Sequence, residues 1–244
     1  MVGVAWLRIA SAAVVFAAWR RPWRRISVRQ PTLLALGVVL AAMNACFYLA
    51  IARLLLGTVG AIEFLGPVAL AAIGVRTPRN VLAFGLAVVG VYLLTDVRFA
   101  GEPLGFVFAF ANCALFVLYV VLGHRIAQDG GDQGVDRLGV AMLLALVAIT
   151  PFGLLGALPT FSNPLLLGAG IGVGICSSVI PYVCDQLAMA RLPRATFALL
   201  LALLPATAAT IGVVVLGQLP GVQEWIGIAL IVGGVAIHRD AYGG

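Results

Sequence analysis

Apolar segments about as long as a lipid bilayer is thick follow one another along almost the whole chain. The residues are 63% hydrophobic and only 10% charged, whereas soluble domains are roughly 45–50% apolar and about 25% charged. The segments approach the roughly 20 residues that a helix needs to cross a bilayer, and they are too long for the strands of a membrane barrel. The chain is therefore predicted to be an all-α polytopic membrane protein.

Nine spans can be drawn in this sequence, and the short loops between them leave no room for a soluble domain. They cover approximately residues 2–19, 32–52, 56–75, 80–96, 103–124, 137–157, 164–187, 195–217 and 222–238.

The arginines indicate how these spans are oriented. All fifteen basic residues are Arg, and one set of alternate loops together with the C-terminus contains twelve of them: Arg20, Arg21, Arg24, Arg25, Arg29, Arg76, Arg79, Arg125, Arg137, Arg191, Arg194 and Arg239. The opposite loops contain Arg53 and Arg98, and Arg8 lies inside the first span. Because basic loops face the cytoplasm, the pattern predicts an inner-membrane protein with a cytoplasmic C-terminus. The net charge of +6 is then a topology signal, and no nucleic-acid partner is expected.

The chain contains an internal repeat. Shifting it by 138 residues aligns residues 50–74 with residues 188–212 without a gap, and ten of the twenty-five positions are identical. The identities include the pairs Arg53/Arg191, Thr58/Thr196 and Pro67/Pro205, which chance similarity between Ala/Leu-rich helices does not explain. A duplication is therefore predicted.

The two copies are expected to have opposite topology, because Arg53 is assigned outside and Arg191 inside. Opposite topology requires an odd number of helices in each copy. The copy at residues 100–244 has five predicted spans, whereas the copy at residues 1–99 has four. We therefore expect an inverted repeat of five-helix units whose first helix is missing here, either because Met1 is a misplaced start or because this is a nine-helix variant.

Four stretches carry a resemblance to a known family: "LRIASAAVVFAAWRRPWR", "MNACFYLAI", "AIEFLGPVALA" and "IPYVCDQLAMARLPRATFALLLALLPA". Together they resemble the EamA-type exporters of the drug/metabolite transporter superfamily, and most of all the threonine/homoserine exporter group. The resemblance covers essentially the whole chain. It implies a secondary active transporter that exports small amino acids by alternating access, coupled to protons or to exchange. Two departures stand out, because the relatives have Glu where this chain has Asp185 and Leu204.

Glu63 is the leading candidate for substrate binding or ion coupling. A carboxylate inside a membrane span is costly and usually functional. Gly60, Gly66 and the helix-bending Pro67 surround it, and together they open the helix as a midplane site requires. Glu63 is expected to bind the substrate ammonium or to exchange a proton. The alternative is a protonated side chain that bonds to a carbonyl or to Asn44.

Two further polar pairs lie on helix faces. Asn44 and Tyr48 are four residues apart, so they share a face, where they could donate to a substrate carboxylate or bond to another helix. Tyr182 and Asp185 follow the helix-bending Pro181, and for Asp185 an access or gating role competes with a solvated helix end.

Three other residues complete the predicted site. Asn112 is a candidate for lining it. Arg8 could pair with the substrate carboxylate or with Glu63, or could extend its side chain toward the interface. Pro205 is the third helix-bending proline.

Some residues are expected to serve packing alone. The four cysteines lie in apolar runs without metal-ligand spacing, so they are expected to be buried, and no metal is expected. The glycine row at positions 168, 170, 172 and 174 has the spacing of helix packing.

Other functions are less compatible with this sequence. Motifs of intramembrane hydrolases, such as paired aspartates, HExxH or a Ser/His pair, do not occur in it, so an enzyme is not expected and no cofactor is implied. The remaining alternatives are an exporter of drugs or other metabolites and a truncated fragment that does not transport. The expected partners are a small-molecule substrate, protons, the lipid bilayer and a second copy of the chain as a homodimer.

Overall fold

The computed structural model describes residues 2–24, 26, 29–54, 56–73, 77–94, 102–128, 131–201, 203–204, 207 and 221–237. Every regular element within these residues is helical. The helices are α1 (Val2–Arg20), α2 (Pro31–Ile51), α3 (Leu56–Ile73), α4 (Pro78–Leu94), α5 (Pro103–Ala127), α6 (Gly131–Phe161), α7 (Pro164–Gly174), α8 (Ile180–Met189), α9 (Arg194–Leu201) and α10 (Val222–Ile237). A 3₁₀ turn, Pro22–Arg24, follows α1, and a π-helical turn, Ile175–Val179, joins α7 to α8.

The prediction of an all-α polytopic membrane protein is confirmed. Within the described residues, five segments are long and apolar enough to cross a membrane: Val2–Arg20, Pro31–Ile51, Pro103–Ala127, Asp132–Phe161 and Pro164–Met189. Three shorter apolar helices are Thr58–Ala71, Pro78–Gly90 and Trp225–Ile237. The eighth predicted span begins with α9, and most of its remainder lies outside the described residues.

The sixth span starts earlier than the sequence predicts. Its helix, α6, begins at Gly131 because the acidic residues of its first two turns interact with the end of α1. Arg20 Nε lies 2.6 Å from Asp136 Oδ1, and Arg20 Nη2 donates to the Asp132 carbonyl at 3.2 Å. Asp136 is buried, and its pairing allows the helix to continue where a polar loop was expected.

One compact unit consists of Met1–Arg53 and Glu102–Arg191 and contains α1, α2 and α5 to α8. In this unit α1 runs antiparallel to α6. Trp6 Nε1 donates to Thr150 Oγ1 at 3.0 Å toward one end, and Arg20 pairs with Asp136 at the other. The helices approach closely where Gly3 meets the backbone of Gly156, as small residues allow in membrane helices. Besides this pair, α2 packs along α5 and α6, α7 packs on α1, and α8 packs on α5 and α6.

The other compact unit consists of Leu54–Gly101 and Leu192–Gly244 and contains α3, α4, α9 and α10. Here α4 runs antiparallel to α10. Arg79 Nε donates to the Ile237 carbonyl at 2.6 Å, and Gln223 Nε2 donates to the Leu93 carbonyl at 3.1 Å. A Cβ added to Gly234 would lie 2.6 Å from the Ala83 carbonyl oxygen, so the contact needs glycine. The third packing element of this unit, α3, contacts α9 and α4.

Helix ends 138 residues apart have the same local geometry. The helices α2 and α8 end at Ile51 and Met189, and the next helices begin at Leu56 and Arg194. After α2, the Ala52 N–H donates to the Tyr48 carbonyl and the Arg53 N–H to the Ala50 carbonyl. After α8, Ala190 donates to Gln186 and Arg191 to Ala188. This correspondence is what a duplication would produce, and the inverted repeat itself stays a prediction.

The prediction that all four cysteines are buried is wrong. Cys46 and Cys113 are partly exposed, and Cys176 and Cys184 are exposed. A thiol is apolar enough to sit on a surface that faces lipid. The glycine row is used for packing at two of its four positions. Gly170 packs against Leu7 and Gly174 against Ser11, whereas Gly168 and Gly172 have open space beside them.

Candidate functional site

Asp185 is the centre of a polar cluster at the contact between α8 and α5. The Tyr119 hydroxyl donates to Asp185 Oδ2 at 2.8 Å. Tyr119 is fully buried, whereas Asp185 is partly exposed. Among the described residues, the Tyr119 hydroxyl is the one hydrogen-bond donor to this carboxylate, and no arginine or histidine pairs with it.

Two aromatic rings pack against the ring of Tyr119, the donor to this carboxylate. The ring centroid of Tyr182 lies 5.3 Å from that of Tyr119, and the ring of Phe116 stacks on that of Tyr119 at 5.9 Å. Tyr182 is buried and precedes Asp185 by three residues. The structure thus brings together Tyr182 and Asp185, as their shared helix face predicted, and adds Phe116 and Tyr119 from α5.

Gln186 occupies the buried side of α8 next to Asp185. It is fully buried, its Nε2 lies 3.9 Å from Met189 Sδ, and its Oε1 has no hydrogen-bond partner among the described residues. The absence of side chains at Gly123 and Gly134 leaves room for it, because a Cβ at either position would lie 3.2–3.3 Å from its amide.

Asn112 lies two turns before Tyr119 on α5, on the face that also carries Phe116. It is fully buried, and neither Oδ1 nor Nδ2 has a hydrogen-bond partner among the described residues. An unpaired buried amide costs about 1–3 kcal/mol. The amide of Asn112 is therefore available for a ligand, and its role as a lining residue stays a prediction.

Asn44 and Tyr48 lie on α2, which packs along α5. Asn44 is buried, and its Nδ2 donates to the Leu40 carbonyl of its own helix at 2.8 Å. Tyr48 is partly exposed and forms an edge contact with Phe47. The Asn44 bond is thus within its helix, whereas substrate binding or a bond to another helix was expected.

Arg8 contacts the π-helical turn that precedes Tyr182 and Asp185. Its Nε donates to Ser178 Oγ at 2.7 Å, and its Nη2 donates to the Ser177 carbonyl at 2.7 Å. Pro181 lies immediately after this turn, at the second position of α8. The structure thus gives Arg8 a set of partners that the sequence analysis did not consider.

Glu63 belongs to the other compact unit. It lies in the middle of α3, partly exposed, four residues before Pro67, which is inside the same helix. A Cβ at Gly60, one turn earlier, would have open space around it. Pro205 lies outside the described residues.

Sequence reasoning missed Tyr119 as the partner of Asp185 and Ser178 as the partner of Arg8. The signal for Tyr119 was the spacing of Asn112, Phe116 and Tyr119, which places one amide and two rings on one helix face. For Ser178 the signal was weaker, because hydroxyls in membrane helices often bond to their own backbone.

The cluster can bind a cation or exchange a proton. A carboxylate in a membrane span favours a positively charged partner, and the second oxygen of Asp185 is available for one. The nearby aromatic faces also attract ammonium groups. Asn112 adds an amide that can donate and accept.

Comparison with known proteins identifies the family that the chain resembles. Residues 103–238 match the EamA-like transporter family. The threonine/homoserine exporter RhtA of Salmonella typhimurium strain SL1344 is 32% identical over 230 residues, which is 91% of this chain and 76% of the relative. RhtA of Escherichia coli K12 is 32% identical over 222 residues, 88% of this chain and 74% of the relative.

A solved crystal structure has the same fold. It is 22% identical in sequence, it superposes with a TM-score of 0.72, and the match covers 97% of this chain and 86% of that chain.

Proposed function

Because the chain belongs to the EamA-like transporter family, we propose that it exports a small amino acid, of the threonine or homoserine kind, across the cytoplasmic membrane. It is a multi-pass membrane protein and a transporter, as its relatives are, and not an enzyme. The relatives named as threonine/homoserine exporters supply the substrate class.

The observation that carries the proposal is the environment of Asp185. An amino acid brings an ammonium group into a space of low dielectric constant, where it needs an anionic acceptor. Asp185 has one described donor, the Tyr119 hydroxyl, and no described cation. Its charge is therefore available to the substrate, and the Tyr119 bond holds the carboxylate in place.

Glu63 is proposed as the second carboxylate of the transport cycle. The position equivalent to Glu63 in the second repeat is Leu201, and the position equivalent to Asp185 in the first is Phe47. Each of these two carboxylates is therefore absent from the equivalent position of the other repeat. We assign ammonium binding to Asp185 and proton exchange to Glu63, which makes the transporter secondary active and proton-coupled.

Alternating access by the two repeats is the proposed mechanism. Inverted repeats exchange conformations around a midplane site in many secondary transporters. Two observations support a repeat here. The helices before Ala52 and Ala190 end with the same hydrogen-bond pattern. In addition, α1, α3 and α4 pack on their counterparts α6, α9 and α10. The proposal retains repeats at 1–99 and 100–244, a cytoplasmic C-terminus in the inner membrane, and a homodimer as the assembly.

The test is resistance of a bacterial host, deleted for its own exporters, to toxic homoserine. The wild-type chain is expected to confer resistance, and Asp185→Asn and Glu63→Gln are each expected to abolish it. Asp132→Asn is the matched control, because the Asp132 side chain is 94% exposed. Resistance that persists in Asp185→Asn would remove Asp185 from the mechanism.

Inside-out vesicles identify the substrate directly. Radiolabelled threonine and homoserine are expected to accumulate when a proton gradient is imposed, and a protonophore should prevent this. If neither amino acid accumulates, but a radiolabelled drug or nucleobase tested in the same vesicles does, the result would favour the alternative substrate class.

A further inference from the structure

We propose that Arg8 is a positioning residue for the candidate site. It supplies the one hydrogen bond that Pro181 cannot make and a second bond to the Ser178 hydroxyl, and so holds the π-helical turn that aims Tyr182 and Asp185 at α5. The functional part of this inference rests on the proposed transport activity, whereas its structural part does not.

Pro181 leaves the helix short of one donor. In a regular α-helix the N–H of residue 181 would donate to the carbonyl of Ser177, but proline has no N–H. The Arg8 Nη2 donates to that same carbonyl at 2.7 Å. Because an unpaired carbonyl inside a membrane span is unfavourable, the guanidinium replaces the missing helical bond at this partly buried group.

The same guanidinium also bonds to the next residue. Its Nε donates to the hydroxyl of Ser178, which is fully buried, at 2.7 Å. Two adjacent groups of the π turn are thus bonded by one planar side chain, whose donors have a fixed geometry.

The approach of α1 to this turn is close enough to make the contact specific. A Cβ at Gly174 would overlap the Ser11 hydroxyl and lie 3.0 Å from the Arg8 carbonyl oxygen. That hydroxyl donates to the Arg8 carbonyl at 2.9 Å. Small groups therefore hold Arg8 beside the turn, on the side from which its side chain reaches Ser177 and Ser178.

The π turn determines which way Tyr182 and Asp185 point. A π turn contains one more residue than an α turn, so it rotates everything after it by about 100° around the helix axis. Without it, Asp185 would point away from Tyr119, and the 2.8 Å bond between them could not form. Arg8 therefore acts on the site through the backbone, at a distance from any substrate.

The other half of the chain offers an internal comparison. The positions equivalent to Arg8 and Pro181, 138 residues away, are Leu146 and Met43. There α2 runs as a regular helix from Pro31 to Ile51. Where the proline is absent, the cation is absent and the helix has no π turn.

The experiment combines hydrogen exchange with transport, both on the full chain. Arg8→Ala is expected to speed amide exchange about tenfold or more in residues 175–183, with other helices unchanged, because a bond from a charged donor is lost. Arg8→Lys should have an intermediate effect. Arg53→Ala is the matched control, since Arg53 also donates to a helix carbonyl, that of Leu49 at 2.9 Å, but lies outside the π turn.

Transport then separates positioning from substrate binding. Arg8→Ala is expected to lower the maximal rate about tenfold with little change in KM, and to add little further loss to Tyr119→Phe, because both changes act on Asp185. A raised KM with unchanged exchange would mean that Arg8 binds substrate and would overturn the proposal. The proposal would also be overturned if the rate losses of Arg8→Ala and Tyr119→Phe simply multiplied in the double variant. Faster amide exchange in every helix of Arg8→Ala would overturn it as well.

The exchange measurement needs no substrate. If the wild-type chain transports no amino acid, the proposed function fails, yet local exchange in Arg8→Ala still decides whether Arg8 holds the turn.

Discussion

The buried Tyr119 hydroxyl determines what Asp185 can do. A carboxylate with no donor would be expensive to keep within a membrane span, whereas one with several donors or a cation would hold its charge too firmly to bind and release substrate. Asp185 lies between these two cases, because one described hydroxyl, that of Tyr119, donates to its Oδ2 at 2.8 Å. The proposed binding and release of substrate by Asp185 are therefore expected to depend on this single bond.

Tyr119→Phe removes that bond and leaves the ring in place. A hydrogen bond to a charged group contributes about 1.5–3 kcal/mol, so the transport rate is expected to fall roughly tenfold to a hundredfold. The measurement is the initial rate of threonine uptake into inside-out vesicles. Tyr92→Phe is the matched control, because Tyr92 is 71% exposed on α4. A rate within about twofold of wild type for Tyr119→Phe would show that Asp185 does not need the hydroxyl.

At the scale of helices, glycine determines which pairs can approach closely. A Cβ at Gly90 would lie 2.6 Å from Ile231 Cγ1, and one at Gly234 would lie 2.6 Å from the Ala83 carbonyl oxygen. These are the two places where α4 and α10 touch through their backbones. Association of membrane helices depends on such packing, since lipid is as apolar as the side chains.

Two adjacent glycines of α10 should respond differently to the same change. Gly234→Ala is expected to destabilise the protein by about 1–3 kcal/mol, because the added methyl overlaps the α4 backbone. Gly233→Ala is expected to be neutral or slightly stabilising, because Gly233 has open space beside it and alanine favours helices. The midpoint of thermal unfolding in detergent measures both. Equal midpoints would contradict the close contact at Gly234.

For the whole molecule, the compact units and the sequence repeats divide the chain differently. Each compact unit contains helices from both repeats. One unit combines α1 and α2 with the helices α5, α6, α7 and α8, and the other combines α3 and α4 with α9 and α10. The chain passes from one unit to the other after Arg53 and again after Arg191, which are equivalent positions in the two repeats. The duplicated "ARL" sequence is therefore where each repeat changes units.

Equivalent positions at these crossings should lie on opposite sides of the membrane. In a cysteine-free background, Ala52→Cys is expected to react with an impermeant maleimide added to intact cells, and Ala190→Cys only after the cells are opened. Resistance to homoserine confirms that each variant is folded. Labelling of both from the same side would contradict the inverted repeat.

The fold could be predicted from the sequence because bilayer thickness sets the length of each apolar segment, so each of the helices α1 to α10 overlaps one of the nine predicted spans. The start of α6 could not, since it depends on the Arg20–Asp136 pair, which joins residues 116 positions apart. The same reason explains the site. Tyr182 and Asp185 share a helix face and were predicted together, whereas Tyr119 and the partners of Arg8 belong to other helices and became visible only in the structure.

The π turn and its arginine occur in one half of the chain and not in the other, and under the proposed alternating access this difference would affect the resting state of the transporter. A carrier built from two identical inverted halves would populate its inward-open and outward-open forms equally without a gradient, by symmetry. Each unmatched residue, including Pro181 opposite Met43 and Arg8 opposite Leu146, adds a difference in free energy between the two forms. A difference of about 1.4 kcal/mol changes their ratio tenfold, so under the proposed mechanism such unmatched positions bias the compartment toward which the empty carrier is open.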